Sequence, residues 1–522
     1  MTDTSDATLP RRSLRDRITR VWAGRWSGSA FAGILGLGMA TGQAPVSWPW
    51  LALPALAVAL LLISADPDPR RATWRGWWLG TGYFAGALFW IVEPFLIDAA
   101  RHGFMAPFAL AFLSGGLALL WSLAFALAAR AGSPARRVAW AVLLLTLIEM
   151  SREWLMTGFP WALLGYIWTD SPQLQLASLL GPHALTFVTL IAAALPAMLG
   201  LRRGVVAGLL VALVPGLWGM VRLAQPVLPA ADAPIVRLIQ PNVAQSLKWD
   251  SELMSVFFER QLDMTAAAPL PGQPVPDLVV WPETAVAYRM TPGEGAMAAV
   301  TRAAGGTPVA LGLLRWWGDD ALNSLAVIDG QGQFDTIYDK HHLVPFGEYL
   351  PFQSLADRLG ITAMTGISGF ARGPGPQLID MGDRLGTALP LICYEAIFPH
   401  DLRDAPGRAD WILQVTNDAW FGRISGPWQH LAQARVRAVE QGLPFLRAAN
   451  TGVSAVIDAH GNVLSRLELN QQGLLDAPLP PALPPTVFVR WGNWPLLALC
   501  AIWLLGCVVA GRRGARRYAN DR

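Results

Sequence analysis

Eight long apolar segments run along the chain, seven of them before residue 224 and one near the C-terminus. Their approximate limits are 27–44, 47–65, 74–96, 104–130, 138–156, 183–199, 204–223 and 494–511. A helix of about 20 apolar residues crosses the hydrocarbon core of a bilayer, which is roughly 30 Å thick. The pattern therefore predicts a multi-span helical membrane domain with about eight transmembrane helices.

The residues between 224 and 493 follow a different pattern. Short apolar runs alternate with segments that suit helices, and one such helix is expected at 429–441. Apolar runs of four to six residues are typical of strands buried on both faces of a layered α/β domain. They lie at 235–239, 277–281, 308–312, 324–328, 389–393, 411–415 and 454–457. We expect a sandwich with central sheets and outer helices, in the layer order α-β-β-α.

Arginine and lysine residues cluster at the N-terminus, after the second, fourth and sixth spans, and at the C-terminus. Because basic loops stay in the cytoplasm, both termini are expected there, with the polar domain across the membrane. The predicted order is a basic N-terminus (1–26), seven membrane helices (27–223), the polar domain (224–493), an eighth helix (494–511) and a basic tail (512–522). A cleavable signal peptide is the alternative to the first span, but no small-residue cleavage site precedes the second span.

The composition agrees with this organisation and narrows the function. Of 522 residues, 53% are hydrophobic and only 15% are charged, so the chain needs lipid around it. The net charge is only +3 and the basic residues lie in short loops, so nucleic acid is not an expected partner. The seven histidines show no zinc-ligand spacing, and no motif requires a metal, nucleotide or other cofactor.

The polar domain contains a single cysteine, Cys393, at the end of an expected strand. The other two, Cys500 and Cys507, lie in the last apolar segment, where small apolar side chains are ordinary. Proteins outside the cytoplasm usually carry cysteines in pairs, so an unpaired one favours a reactive thiol. The alternative is a buried cysteine that only fills space.

Glu283 and Lys340 also directly follow apolar or β-rich segments. The loops after strands are where layered α/β folds carry their reactive groups. Taken singly, Glu283 could cap a helix and Lys340 could be a solvated turn residue. Together with Cys393 they supply the three groups that acyl transfer requires. A carboxylate accepts the thiol proton, the thiolate attacks an acyl carbonyl, and an ammonium stabilises the oxyanion.

Six short stretches form an ordered series between the seventh and eighth spans. They are Gln240-Pro-Asn-Val-Ala-Gln-Ser-Leu-Lys-Trp-Asp250, Trp281-Pro-Glu-Thr-Ala285, Asn323-Ser324, Tyr338-Asp-Lys-His-His-Leu-Val-Pro-Phe-Gly-Glu-Tyr349, Ile392-Cys-Tyr-Glu395 and Thr416-Asn-Asp-Ala-Trp-Phe-Gly422. This series resembles the nitrilase superfamily and, more closely, the apolipoprotein N-acyltransferase family of bacterial enzymes that complete lipoprotein maturation. The similarity of architecture covers nearly the whole chain.

The resemblance implies a nitrilase-like catalytic domain with a Glu-Lys-Cys triad. It makes Glu283 the general base, Lys340 the oxyanion-stabilising cation and Cys393 the nucleophile. It also implies supporting carboxylates at Glu348 and Glu395. The substrate-binding positions that it implies are Trp249, Asn323, Tyr394 and Trp420.

The resemblance also implies substrates and a location. A phospholipid, typically phosphatidylethanolamine, would give its acyl chain to Cys393 as a thioester. The α-amino group of the N-terminal diacylglyceryl-cysteine of an apolipoprotein would then accept that chain. The protein would be embedded in the bacterial inner membrane, with its catalytic domain in the periplasm.

Two alternatives stay open from the residues. A membrane-anchored nitrilase-like amidase would use the same triad on a small amide, but it would need at most one anchor. A transporter with a periplasmic binding domain would be expected to show intramembrane charges and repeated halves, and the spans show few charges and no evident repeat. The segment 344–373, rich in glycine and scattered apolar residues, is interpreted as a mobile arm that contacts lipid, with an ordinary packed excursion of the chain as the alternative.

Overall fold

The computed structural model describes residues 21–66, 68–269, 272–286, 295–318, 320–351 and 369–520, with side chains as far as residue 512. Most of the basic N-terminus predicted at 1–26 lies outside these residues. So does the centre of the predicted arm, at 352–368.

Seven long helices form the first half of the molecule. They are α1 (Arg25–Ala40), α2 (Pro49–Ala65), α3 (Pro69–Ala87), α4 (Ala106–Ala128), α5 (Pro134–Ser151), α6 (Pro182–Leu199) and α7 (Leu201–Leu223). Short helical turns lie between them at Phe89–Val92, Glu93–Leu96, Ala99–His102, Gly103–Met105, Leu164–Trp168, Pro172–Leu176 and Ala177–Leu180. Small residues allow close helix packing, since a Cβ on Gly82 of α3 would lie 2.1 Å from the Gly33 carbonyl oxygen of α1.

Twelve strands of the described residues form the polar domain. In chain order they are β1 (Ile235–Gln240), β2 (Leu278–Val280), β3 (Val309–Trp317), β4 (Asp320–Ile328), β5 (Phe334–Asp339), β6 (Ile379–Asp380), β7 (Thr387–Ile392), β8 (Trp411–Thr416), β9 (Phe445–Ala449), β10 (Ser454–Ile457), β11 (Val463–Leu467) and β12 (Gly473–Pro478). They form two six-stranded sheets, with the orders β12-β1-β2-β3-β4-β5 and β11-β10-β9-β8-β7-β6. In each sheet three central strands are parallel, β1 to β3 in one and β7 to β9 in the other.

The inner faces of the two sheets pack against each other. Leu238 and Val280 of the first sheet share one buried cluster with Ile392, Leu413 and Leu446 of the second. Helices α8 (Met254–Ala266) and α9 (Gly295–Ala304) cover the outer face of the first sheet. Helix α10 (Gly426–Gln441) covers the outer face of the second. The layers therefore follow the order α-β-β-α, which confirms the predicted sandwich.

The apolar pattern located seven strands, but it missed the four edge strands and the buried inner strand β9, in which Arg447 interrupts the apolar run. All seven predicted strands are present, whereas β5, β6, β9, β11 and β12 were not predicted. Strands β5, β11 and β12 are largely half-exposed, so their sequences mix polar and apolar residues. Short helices at Cys393–Ile397, Pro399–Arg403, Asp418–Phe421 and Val487–Trp491 complete the domain, and α11 (Trp494–Asn520) follows it.

The prediction of eight membrane spans is wrong for the helices that the structure describes. Four helices are long and apolar enough to cross a membrane, at Ala99–Ala128, Pro182–Leu199, Leu201–Leu223 and Trp494–Arg512. A fifth is obtained if Pro69–Ala87 and Phe89–Leu96, bent by 69° at their junction, count as one broken span. Helices occupy the other predicted positions, but α1 and α2 have only 16 and 17 residues, and α5 carries three charged residues.

Buried polar contacts join the helical half to the sandwich. Trp161 Nε1 donates to Gln429 Oε1 of α10 (2.7 Å), and Gln429 Nε2 donates to the Ala87 carbonyl oxygen (2.9 Å). The Tyr394 hydroxyl donates to the carbonyl oxygen of Gly158 (3.2 Å). The turn that follows β7 is therefore attached directly to the helical half.

Candidate active site

Cys393 lies on a sharp turn between strand β7 and the short helix Cys393–Ile397. Its φ of +52° is in the left-handed region, which costs a non-glycine residue roughly 1–3 kcal/mol and recurs at functional sites. The residue is buried, with 4% of its surface exposed. Gln414 Nε2, on the neighbouring strand β8, donates to the Cys393 carbonyl oxygen (2.9 Å) and so holds the turn in place.

Glu283 follows strand β2 of the other sheet, and both oxygens of its carboxylate are engaged. Asn323 Nδ2 donates to Oε1 (2.8 Å), and the backbone N–H of Asn417 donates to Oε2 (2.8 Å). Asn417 directly follows the end of strand β8, which pairs with β7 as far as Ile392, the residue before Cys393. The carboxylate and the thiol therefore approach each other from the two sheets, at the carboxyl ends of their parallel strands.

Lys340 follows strand β5, and only 1% of its side chain is exposed. Its Nζ donates to Glu348 Oε1 (2.8 Å) and lies 3.6 Å from Glu283 Oε1. Asn323 Nδ2 also donates to Glu348 Oε1 (3.2 Å), while the other oxygen of Glu348 accepts from the Val344 N–H (2.8 Å). One ammonium and one amide therefore connect the two carboxylates.

The charges of these residues act on the thiol. Burial and the Glu283 carboxylate raise the pKa of Cys393 well above its usual value, although the Lys340 ammonium opposes them. Burial alone would lower the pKa of Lys340, but Glu348 and Glu283 raise it above its usual value. At neutral pH the site therefore holds a neutral thiol and a permanent ammonium. Formation of the thiolate requires a nearby proton acceptor, and Glu283 is the carboxylate in that place.

Glu395 is fully buried and lies beneath the two turns that carry the thiol and the ammonium. Its Oε2 accepts from the Ile392 N–H (2.7 Å) and the Tyr338 hydroxyl (2.9 Å). Its Oε1 accepts from the His341 N–H (2.8 Å). Since Ile392 precedes the cysteine and His341 follows the lysine, this carboxylate joins the two turns.

The other predicted substrate-binding residues are spread apart. Asn323 lies inside the site, as described above, and Tyr394 is buried and directed to the helical half. Trp249 and Trp420 are 50% and 41% exposed. Within the described part of the chain, neither tryptophan makes a hydrogen bond or ring contact with the three central residues. Their role in binding substrate stays a prediction.

Lys248 is a residue of the site to which the sequence argument assigned no role. It is buried, and its Nζ donates to the Glu283 carbonyl oxygen (3.2 Å) and to the Thr284 hydroxyl. Thr284 has a φ of +45°, so this ammonium supports a strained turn that presents Glu283. Burial lowers the pKa of Lys248 to about 8, although Glu283 and Cys393 oppose the shift. The motif 240–250 contains this lysine, but its spacing gave no sign of the contact.

A buried polar network beneath Cys393, formed by Arg447, Gln414 and Asp418, was also not predicted from the sequence. Arg447 of β9 donates to Gln414 Oε1 (2.6 Å) and pairs with Asp418. Burial raises the pKa of Asp418, but Arg447 and His430 more than offset this and lower it to about 2. The ionised carboxylate fixes the guanidinium, and the guanidinium orients the Gln414 amide toward the cysteine carbonyl. The stretch 416–422 pointed to Asp418, but Arg447 lies outside every motif.

Comparison with known protein families assigns both halves of the chain. Residues 35–195 match the family model of the apolipoprotein N-acyltransferase N-terminal domain, and residues 257–483 match that of carbon-nitrogen hydrolase. An apolipoprotein N-acyltransferase from Rhodopseudomonas palustris is 35% identical, over 95% of this chain and 98% of its own. The chain belongs to the apolipoprotein N-acyltransferase family. The long apolar helices among the described residues agree with a membrane protein.

Other members of the apolipoprotein N-acyltransferase family are also similar to this chain. The protein from Caulobacter vibrioides is 39% identical, over 91% of this chain and 93% of its own, and that from Rhizobium rhizogenes is 39% identical, over 77% and 79%. Among solved structures, an amidase from Nesterenkonia sp. is 20% identical and covers 48% of this chain and 93% of its own, with a TM-score of 0.35. Family membership makes the chain an N-acyltransferase and removes the transporter alternative.

Proposed function

We propose that this chain moves a fatty acyl group from a phospholipid to the α-amino group of the N-terminal diacylglyceryl-cysteine of apolipoproteins. The family supplies the class of reaction. One observation carries the residue roles, namely that Glu283, Lys340 and Cys393 come from three separate strand ends into one buried site. Glu283 is the proposed general base, Cys393 the nucleophile and Lys340 the oxyanion-stabilising cation.

In the first half of the reaction, the Cys393 thiol gives its proton to Glu283 while Sγ attacks the ester carbonyl carbon of the phospholipid. The carbonyl oxygen gains negative charge, which the Lys340 ammonium stabilises. Collapse breaks the carbon–oxygen ester bond, and the leaving alkoxide takes the proton from Glu283. A lysophospholipid departs and the acyl group stays as a thioester.

In the second half, the α-amino group of the apolipoprotein attacks the thioester carbonyl and Glu283 accepts a proton from it. The carbon–sulfur bond then breaks, and the thiol regains a proton. Because the pKa of Cys393 is raised, the sulfur leaves readily only if it is protonated as the carbon–sulfur bond breaks. The protonated Glu283 carboxyl can donate that proton. The products are the N-acylated lipoprotein and the resting enzyme.

Both proposed substrates are held in or anchored to a bilayer, and the proposed catalytic domain (224–493) packs on the helical half, since Val436 of α10 shares a buried cluster with Leu185 of α6. With the basic clusters of the sequence, this favours a periplasmic domain, cytoplasmic termini and the bacterial inner membrane. We propose a phospholipid, typically phosphatidylethanolamine, as donor, and Trp249 and Trp420 as residues that help to bind the substrates. No cofactor takes part in either half-reaction.

The test is the intact mass of the purified chain after incubation with a phospholipid of defined acyl chains. The native chain and Cys500→Ala should gain one acyl group that hydroxylamine removes, and Cys393→Ala should gain none. A diacylated lipopeptide with a free N-terminal amine should then discharge the adduct, whereas its N-acetylated form should not.

Absence of an adduct on the native chain would contradict the lipid donor. Loss of the adduct at the same rate with water as with the lipopeptide would favour the amidase alternative, in which water is the second nucleophile.

A further inference from the structure

A group of histidines and acids lies directly behind the turn that follows Lys340. His341, His342 and Asp401 each offer one ligand atom, and these atoms lie within 4.8 Å of one another. Asp401 Oδ2 lies 3.1 Å from His342 Nδ1 and 3.4 Å from His341 Nε2. Ligand atoms about 2.1 Å from a tetrahedral zinc ion are about 3.4 Å apart. The distances from Asp401 Oδ2 to the two histidine nitrogens are therefore close to the distance between two ligand atoms of a tetrahedral zinc ion.

The second nitrogen of each histidine faces an acceptor. His341 Nδ1 lies 2.8 Å from Glu395 Oε1 and 2.8 Å from the hydroxyl oxygen of Tyr338, which itself donates to Glu395 Oε2. His342 Nε2 lies 3.4 Å from the carbonyl oxygen of Thr157. If these nitrogens donate, His341 Nε2 and His342 Nδ1 keep their lone pairs and face Asp401. Metal-binding histidines usually show this arrangement, in which an outer carboxylate or carbonyl fixes the tautomer.

The remaining contacts also leave a position for a ligand. His341 Nε2 is buried and, among the described residues, makes no hydrogen bond, because its 3.4 Å contact with Asp401 Oδ2 lacks the direction of one. A buried polar atom without a partner is costly and calls for an explanation. The other oxygen of Asp401 is held by His400 Nε2 (3.1 Å), and His400 Nδ1 lies 3.2 Å from Glu153 Oε1. Asp401 Oδ2 is therefore directed to the two histidines by its neighbours.

We propose that His341, His342 and Asp401 bind a divalent transition-metal ion, for which zinc is the best match. Two imidazoles and one carboxylate are a common zinc donor set, and water would take the fourth position. The ion would tie the turn after Lys340 to Asp401, while Thr157 of the helical half supports one ligand. This binding site is independent of the proposed acyl transfer.

The test uses the full chain without a histidine tag, purified in detergent without chelators. After equilibration with Zn²⁺ and removal of free metal, the native chain should retain about one zinc ion per chain, measured by elemental mass spectrometry. Co²⁺ should give the visible absorbance of a tetrahedral site. His342→Gln and Asp401→Asn should lose both signals, and the exposed-residue control His102→Gln should keep them. His400→Gln should weaken zinc binding about 10- to 100-fold.

Zinc should also raise the unfolding temperature of the native chain and of His102→Gln, and EDTA should reverse that rise. This measurement needs no ligand variant, so a variant that misfolds cannot obscure the result. If the native chain retains no more zinc than Asp401→Asn and shows no zinc-dependent stabilisation, the proposal is wrong. The group is then an ion-pair network in which a protonated His341 bridges Glu395 and Asp401.

Discussion

Glu348→Gln should slow the acylation of Cys393 about tenfold. Among the described residues, the Lys340 ammonium pairs with two carboxylates, Glu348 at 2.8 Å and Glu283 at 3.6 Å. Removal of the Glu348 charge leaves Glu283 as the remaining member of this pair of carboxylates. We therefore expect Lys340 to move toward Glu283 and to hold it as a tighter ion pair.

The distances set the size of the effect. At an effective dielectric constant of about 20, two unit charges attract by about 4.6 kcal/mol at 3.6 Å and about 5.9 kcal/mol at about 2.8 Å. The difference of about 1.3 kcal/mol stabilises the ionised form of Glu283 and makes it about tenfold weaker as a proton acceptor. Glutamine also cannot accept from both Lys340 and the Val344 N–H, so one donor is left unmatched, at about 1–3 kcal/mol of stability.

The assay is the single-turnover rate of acyl-enzyme formation, followed by intact mass. Glu252→Gln, at an exposed position outside the site, removes the same charge and should acylate at the native rate. Thermal unfolding of each variant shows that it is folded. Native acylation by a folded Glu348→Gln would refute the reasoning, because Lys340 would then not depend on its nearest carboxylate.

Three further outcomes are expected. Gly312→Ala should slow acylation about 100-fold, because the added Cβ would lie 2.6 Å from Glu283 Cα and displace the carboxylate. Gly295→Ala is the control and should not change the rate, because its Cβ meets open space. Asn323→Leu removes the amide that donates to Glu283 and Glu348 and should slow acylation about 10- to 100-fold in the same assay; an unchanged rate would show that the amide is dispensable. Lys248 has a pKa of about 8 when folded and near 10.5 when unfolded, so between these values the unfolded chain binds more protons and the free energy of unfolding rises with pH. Lys248→Met should remove that rise, which unfolding temperatures from pH 7 to about pH 11 would show, and superimposable native and variant profiles would contradict it.

The sequence by itself was enough to predict the layered α/β sandwich and the family, and it proposed Glu283, Lys340 and Cys393 as the triad. Most buried strands carry continuous apolar runs, because both of their faces are covered, so every inner strand except β9, which Arg447 interrupts, was recognisable from local composition. The edge strands were not recognisable, because half-exposed strands mix polar and apolar residues. The number of membrane spans was overestimated, because some apolar segments contain turns and loops, so the helix within them is shorter than the segment.

Only the tertiary structure decided which groups meet. Glu283 and the Asn417 N–H are 134 positions apart, and His342 and Asp401 are 59 apart, yet each pair is in contact. Lys248, Arg447 and Asp401 have no local pattern that marks them, because a buried charge is positioned by partners from other strands and helices. The network around the thiol therefore arises from the packing of two sheets on the helical half. Composition and spacing along the chain do not contain that information.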